Sequence, residues 1–145
     1  MCREEKSLVV EETRKNFGIG IDVVEIERIA ASYARFGERF AHRILGTREF
    51  ERLQIRRARS TQRGIAFLST RFAAKEAIAK ALGLGMRSPM RWRAVEVLND
   101  SSGRPVVSVH GALRQFVEHN RLRLHVSLTD ERSTAAAYAI AEIIE

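Results

Sequence analysis

The chain has 145 residues, the length of one domain, with 45% hydrophobic and 30% charged residues, a globular balance and not a disordered one. Lys+Arg number 25 against 18 Asp+Glu, a formal net charge of +7, which points to an acidic partner: nucleic acid, a membrane surface, an acidic protein or a phosphorylated ligand. The lone Cys2 excludes an intrachain disulfide and fits a reducing compartment, no apolar run approaches the ~20 residues of a bilayer span, and the Glu-bearing N-terminus does not read as a secretory signal, so the expectation is a soluble, cytoplasmic domain.

Residues 1–16 carry four basic and four acidic residues with little pattern, and read as an N-terminal extension ahead of a domain over 17–145. Residues 17–24 predict a first strand, whose Gly18 and Gly20 suit close approach of another backbone or a ligand. From residue 25 to 36 the apolar positions Ile26, Ile29, Ala30, Tyr33 and Ala34 make a helical stripe, which Gly37 interrupts. A second short helix covers 38–44. Thr47 is expected to cap a third, with Glu49 and Glu51 in its first turn, where the helix dipole favours anions. The clearest helix is 64–82, rich in alanine and ended by Gly83 and Gly85. Residues 92–98 read as a strand, 99–103 as a turn and 105–110 as the returning strand, with Pro105 at its start. A short helix over 111–119 follows. Two further strands, 122–128 and 134–144, flank a turn at 129–132, although the alanines at 135–137 suit a helix equally. The sum is a single α+β domain, helices packed on a small antiparallel sheet.

The charge is not evenly spread. Residues 35–63 hold nine Arg against three Glu, nearly the whole excess, and the chain has 21 Arg but four Lys. Arginine presents a planar fork that suits carboxylate and phosphate. Asp22 is conspicuous because it follows Gly-Ile-Gly-Ile on an apolar strand, where an unpaired carboxylate is costly. It reads either as a cap for the next helix or as a ligand for a metal or a metal–phosphate group. Glu76 and Lys80 are four apart on one helix face, either an exposed ion pair or part of a site. Half of the lysines, Lys75 and Lys80, fall in this largely apolar run, and Gly-Leu-Gly follows it, where phosphates could approach backbone amides. His125, Ser127 and Thr129 alternate on a strand and point one way, as a solvent face or as part of a site. The histidines share no metal-ligand spacing, and no nucleophile elbow, Walker or dinucleotide fingerprint is present.

Three segments in this order carry a resemblance: Gly18-Ile19-Gly20-Ile21-Asp22-Val23-Val24-Glu25, then Arg71-Phe72-Ala73-Ala74-Lys75-Glu76-Ala77-Ile78-Ala79-Lys80-Ala81-Leu82-Gly83, then His125-Val126-Ser127-Leu128-Thr129, with a hairpin turn from Asn99 to Pro105 between the last two. Together they resemble the bacterial holo-[acyl-carrier-protein] synthases, a 4′-phosphopantetheinyl transferase family, over residues 17–144. The extension before Phe17 departs from the family pattern. The resemblance implies an α+β fold, a homotrimer with active sites between subunits, and a role in fatty acid biosynthesis. It implies transfer of the phosphopantetheine arm of coenzyme A to a serine of apo acyl carrier protein, with Mg²⁺ required and adenosine 3′,5′-bisphosphate released. By the same resemblance Asp22 and Glu76 hold the metal. Glu76 is the base for the serine, Lys80 meets the departing phosphate, and Arg71, Lys80, Gly83, Pro105 and His125 line coenzyme A. Arg28, Arg35, Arg39 and Arg43 dock the acidic carrier. The competing reading is a basic nucleic-acid-binding module without catalysis. The aromatics speak against it, because they lie in apolar stripes and are not interleaved with arginines as stacking platforms.

Overall fold

The computed structural model describes residues 16–145. The expected extension lies outside the described residues except for Asn16, which opens the first strand. In chain order the elements are β1 (Asn16–Glu25), α1 (Ile26–Phe36), α2 (Glu38–Ile44), α3 (Thr47–Arg59), α4 (Thr61–Ala81), a 3₁₀ turn (Trp92–Ala94), β2 (Val95–Asn99), β3 (Pro105–Val109), α5 (Gly111–His119), β4 (Leu122–Asp130) and β5 (Thr134–Ile143). The strands form an antiparallel three-stranded sheet, β1-β5-β4, and a separate β2-β3 hairpin. No described helix is long and apolar enough to cross a membrane.

The central packing event is α4 against the inner face of the larger sheet. Gly18 and Gly20 of β1 face it, and a Cβ on either would run into the backbone carbonyl of Ala81 or Ala77. Beside them, Ala135, Ala137, Ala139 and Ala141 of β5 turn inward and are buried. They meet Ala73, Ala74, Ala77 and Ala81 of α4, also buried. This glycine–alanine seam lets helix and sheet approach closely. It also explains why the alanines of β5 suited a helix equally well in sequence: alternate alanines are the small inner face of a strand. Leucines and valines of β4 and the hairpin fill the wider space beyond, with Leu53, Leu68, Val95 and Val97 buried at the centre.

The outer face of the sheet is uncovered in the single chain. Ile19, Ile21 and Val23 are 60%, 60% and 62% exposed, and Phe17 and Tyr138 are exposed beside them. Such a contiguous apolar patch is unusual on a monomer.

Three local expectations are corrected. Thr47 does not cap α3; Gly46 occupies the N-cap position. The cap comes instead from Glu96 on β2, whose Oε2 accepts from the backbone N–H of Arg48 at 2.9 Å and of Glu49 at 3.4 Å. A side chain at residue 46 would overlap that carboxylate. Helix α4 begins at Thr61 rather than at residue 64, with Ser60 Oγ accepting from the Arg63 N–H. Residues 92–94 form a 3₁₀ turn, so the strand begins at Val95.

Candidate active site

Two clusters flank α4. On one side stand Asp22, Glu76 and Lys80. Asp22 lies inside β1, on the face toward α4, so it caps nothing; Glu25 holds the N-cap position of α1. Lys80 reaches across to the strand. Its Nζ donates to the Ile21 carbonyl at 2.9 Å and lies 3.2 Å from Asp22 Oδ1. The helical Glu76–Lys80 ion pair of the sequence reading is therefore replaced by a cross-element pair. Asp22 is mostly buried and Lys80 half-exposed. Partial burial lifts the Glu76 carboxyl above the ordinary glutamate value, the Asp22 carboxylate adds to the lift, and the Lys80 ammonium opposes it. Two neighbouring carboxylates, one of them lifted by burial and by the other's charge, form a seat that suits a divalent cation. Among the described residues no group of three or more acidic, His or Cys ligands occurs. The protein thus offers a pair of carboxylates, which fits Mg²⁺, an ion that takes one or two carboxylates and completes its shell with phosphate oxygens and water.

Lys75, which shares the run with Lys80 in sequence, points elsewhere. It is fully buried, on the opposite flank of α4.

On that opposite flank lies a groove of about 710 Å³. Arg71 is 5% exposed at its base. Its guanidinium donates to the Val97 carbonyl at 3.0 Å, to Thr70 Oγ1 at 3.1 Å and to Asn99 Oδ1 at 2.6 Å, and packs over the Phe67 ring. Burial pushes its pKa down to about 10, opposed by Glu49, and it stays cationic at neutral pH. Arg52, Arg56, Arg59 and Arg63 line the same groove against one carboxylate, Asp130; Asn99 and Pro105 close one end. Arg71 and Glu76 are five residues apart, roughly 140° around the helix. The two clusters therefore face different sides of one chain.

The remaining expected residues fall outside both. Gly83 follows α4 with φ +71°, and nothing stands within 4 Å of where a Cβ would point, so its backbone is open to approach. His125 stands on the outer face of β4, its Nε2 2.7 Å from Glu142. Arg28 and Arg35 are exposed on α1, and Arg39 and Arg43 on α2. Arg39 and Arg43 rim an apolar pocket of about 590 Å³ walled by Phe36, Phe40, Phe72 and Trp92. Phe72, in the pocket wall, precedes Glu76 by one helical turn, so the two share a side of α4.

The sequence profile of the 4′-phosphopantetheinyl transferase superfamily matches residues 18–141. The chain belongs to that superfamily. The holo-[acyl-carrier-protein] synthase of Methylibium petroleiphilum is 50% identical over 129 residues, 89% of this chain and 98% of that protein. The one from Bordetella pertussis is 52% identical over 125 residues, 86% and 82% of the two chains. Among solved structures, the Neisseria meningitidis holo-[acyl-carrier-protein] synthase superposes with a TM-score of 0.79 at 34% identity, covering 88% of this chain and 98% of that one. The Bacillus anthracis enzyme, solved in complex with CoA (3′,5′-ADP), gives 0.73 at 29%, covering 89% and 98%.

Membership in a transferase superfamily answers the nucleic-acid-binding alternative and gives the arginines a different division of labour. In sequence the nine arginines over 35–63 form one basic stretch. The fold divides it: Arg39 and Arg43 belong to the apolar pocket, and Arg52, Arg56, Arg59 and Arg63 to the groove. The missed signal was the 52-56-59 spacing, one face of α3, which Arg63 joins from the first turn of α4 beyond the extended Ser60.

Proposed function

We propose that the chain transfers the 4′-phosphopantetheine arm of coenzyme A to a serine hydroxyl of apo acyl carrier protein, releasing adenosine 3′,5′-bisphosphate, and so serves fatty acid biosynthesis in the cytoplasm. The observation that carries this reading is the Asp22–Glu76–Lys80 cluster, two carboxylates and an ammonium beside an apolar pocket rimmed by arginine. The serine oxygen bonds to the phosphorus that bears the pantetheine arm, and the bond from that phosphorus to the bridging oxygen of the pyrophosphate breaks. Glu76, directly or through a water, takes the serine proton. The Lys80 ammonium, held half-exposed against Asp22, is placed to meet the charge on the departing phosphate. Asp22 and Glu76 are the residues that would hold Mg²⁺, which when bound neutralises charge on the pyrophosphate oxygens. Loading the carrier and weighing it tests the reading.

The groove suits the nucleotide phosphates of coenzyme A. Replacing both Arg52 and Arg56 by alanine is expected to raise KM for coenzyme A by roughly 10-fold or more, since a charged hydrogen bond contributes about 1.5–3 kcal/mol, with KM for the carrier nearly unchanged. Steady-state kinetics with each substrate varied in turn checks this.

The exposed arginines of α1 and α2 suit an acidic carrier. Arg35→Ala should raise KM for the carrier a few-fold and flatten its dependence on salt, because rim charges act mainly on association. An unchanged salt slope would remove Arg35 from the docking face.

A homotrimer with shared sites accommodates both the apolar sheet face and the separation of the two clusters. The face of Ile19, Ile21, Val23 and Tyr138 would be covered by neighbours, and the carboxylate cluster of one subunit would meet the groove and His125 of the next. Mixing Glu76→Ala chains with Arg52→Ala/Arg56→Ala chains should then recover part of the activity missing from each alone. No recovery after subunit exchange would contradict the shared site.

A further inference from the structure

The residue before Glu76 is a fully buried charge. Lys75 Nζ donates to the Ile44 carbonyl at 2.6 Å, to the Trp92 carbonyl at 2.9 Å and to Glu49 Oε1 at 2.6 Å, with both side chains fully enclosed. Glu49 in turn accepts from the Gly46 N–H at 2.9 Å through Oε1 and from the Val97 N–H at 2.9 Å through Oε2. One ion pair therefore ties the last residue of α2, the N-terminus of α3, the 3₁₀ turn and β2 to the middle of α4.

A buried ion pair is a weak device for stability alone, because apolar residues of equal volume commonly do as well or better. What it supplies here is direction. Ile44 is the neighbour of Arg43, at the end of α2, and Lys75 is the neighbour of Glu76. The bond from Lys75 to the Ile44 carbonyl links the backbone that carries a pocket-rim arginine to the backbone that carries the carboxylate. The three acceptors converge on one ammonium, so the corner between α2 and α3 has one position relative to that turn of α4.

We propose that Lys75, paired with Glu49, is a positioning residue for the transfer: it sets Arg43 and the apolar pocket in register with Glu76, so that a carrier seated on the former presents its serine to the latter. This rests on the transferase reading above. The pair touches neither substrate. It acts through backbone placement, and misplacing a reacting group by about 1 Å can cost on the order of 100-fold in rate.

The test is a double-mutant comparison. Lys75→Met/Glu49→Gln removes both charges while keeping side-chain volume, and leaves one amide oxygen to accept from one of the Gly46 and Val97 N–H groups. With a native circular-dichroism spectrum, this variant should load the carrier with kcat lowered by at least roughly 10-fold and KM for coenzyme A within about twofold of native. Arg43→Ala should raise the carrier's KM in the native chain and have less than half that fold-effect in the variant, because the arginine is no longer in register. A merely structural pair would leave the effects multiplying. If Lys75→Met/Glu49→Gln does not fold, Glu49→Asp alone takes its place: it keeps both charges but shortens the acid by one methylene, and should show a smaller fall in kcat with a partial loss of coupling. Native kcat in a folded variant, or full multiplication with Arg43→Ala, overturns the positioning role. Failure of the unaltered chain to load any carrier would instead remove the transferase reading itself.

Discussion

Replacing Glu76 by alanine is expected to lower arm transfer to about a thousandth of the native rate or less, and Asp22→Ala to act comparably. A positioned base alone contributes about 10²- to 10⁴-fold. Each substitution also removes one of the two carboxylates available to a divalent cation, and no third acidic, His or Cys ligand joins them among the described residues. The loss should appear in kcat and resist added coenzyme A. Stability should not follow activity. The folded pKa of Glu76 lies above its ordinary value, so the fold disfavours the ionised form. In metal-free protein the contribution of Glu76 to stability is fully present below the unfolded pKa and is lost as pH rises through the folded pKa. Glu76→Gln should therefore melt no lower than the native chain at neutral pH in chelator, and should lack that pH-dependent loss. An inactive variant that also melts far lower would make Glu76 a structural residue. An active one would end the assignment of base and metal ligand together.

The second large effect concerns the seam. Gly20→Ala places a methyl against the carbonyl oxygen of Ala77, a backbone atom that cannot rotate aside. Overpacking of this kind costs about 1–3 kcal/mol, a fall in Tm of roughly 3–10 °C for a domain of this size. Because Asp22 lies two residues along the same strand face, the displacement should depress activity as well, in a protein that still binds coenzyme A through the groove. A melt within about 2 °C of native would contradict the close contact between β1 and α4 on which the placement of Asp22 depends.

How much of this was legible in the sequence varies with the range of the interaction. The glycine pair of β1 announced a close approach, since two glycines two apart on a strand leave one face bare, and the partner turned out to be the backbone of α4. The stripe of α1 and the breaks at Gly37 and Gly83 are local, and they were readable. The cap of α3 was not, because its acceptor is Glu96, contributed by a strand about fifty residues further on. The sequence reading noted Lys75 and Lys80 in one run, but residues five apart point roughly 140° apart on a helix, and Lys80 is the one that faces Asp22. The division of the arginines between pocket and groove depends on how α2 and α3 turn about Gly46, a corner set by long-range hydrogen bonds to Glu49, Glu96 and Lys75. Of the candidate site, residue type and spacing singled out Asp22 and the Glu76–Lys80 pair, and the family resemblance joined them in one site. The groove arginines needed the fold.

The most direct measurement is the mass of an apo acyl carrier protein after incubation with this chain, coenzyme A and Mg²⁺. The carrier should gain one phosphopantetheine arm on a single serine, with adenosine 3′,5′-bisphosphate appearing in equal amount and with no gain when Glu76→Ala replaces the native chain. A carrier of unchanged mass, beside a known synthase that loads it fully, would contradict the account.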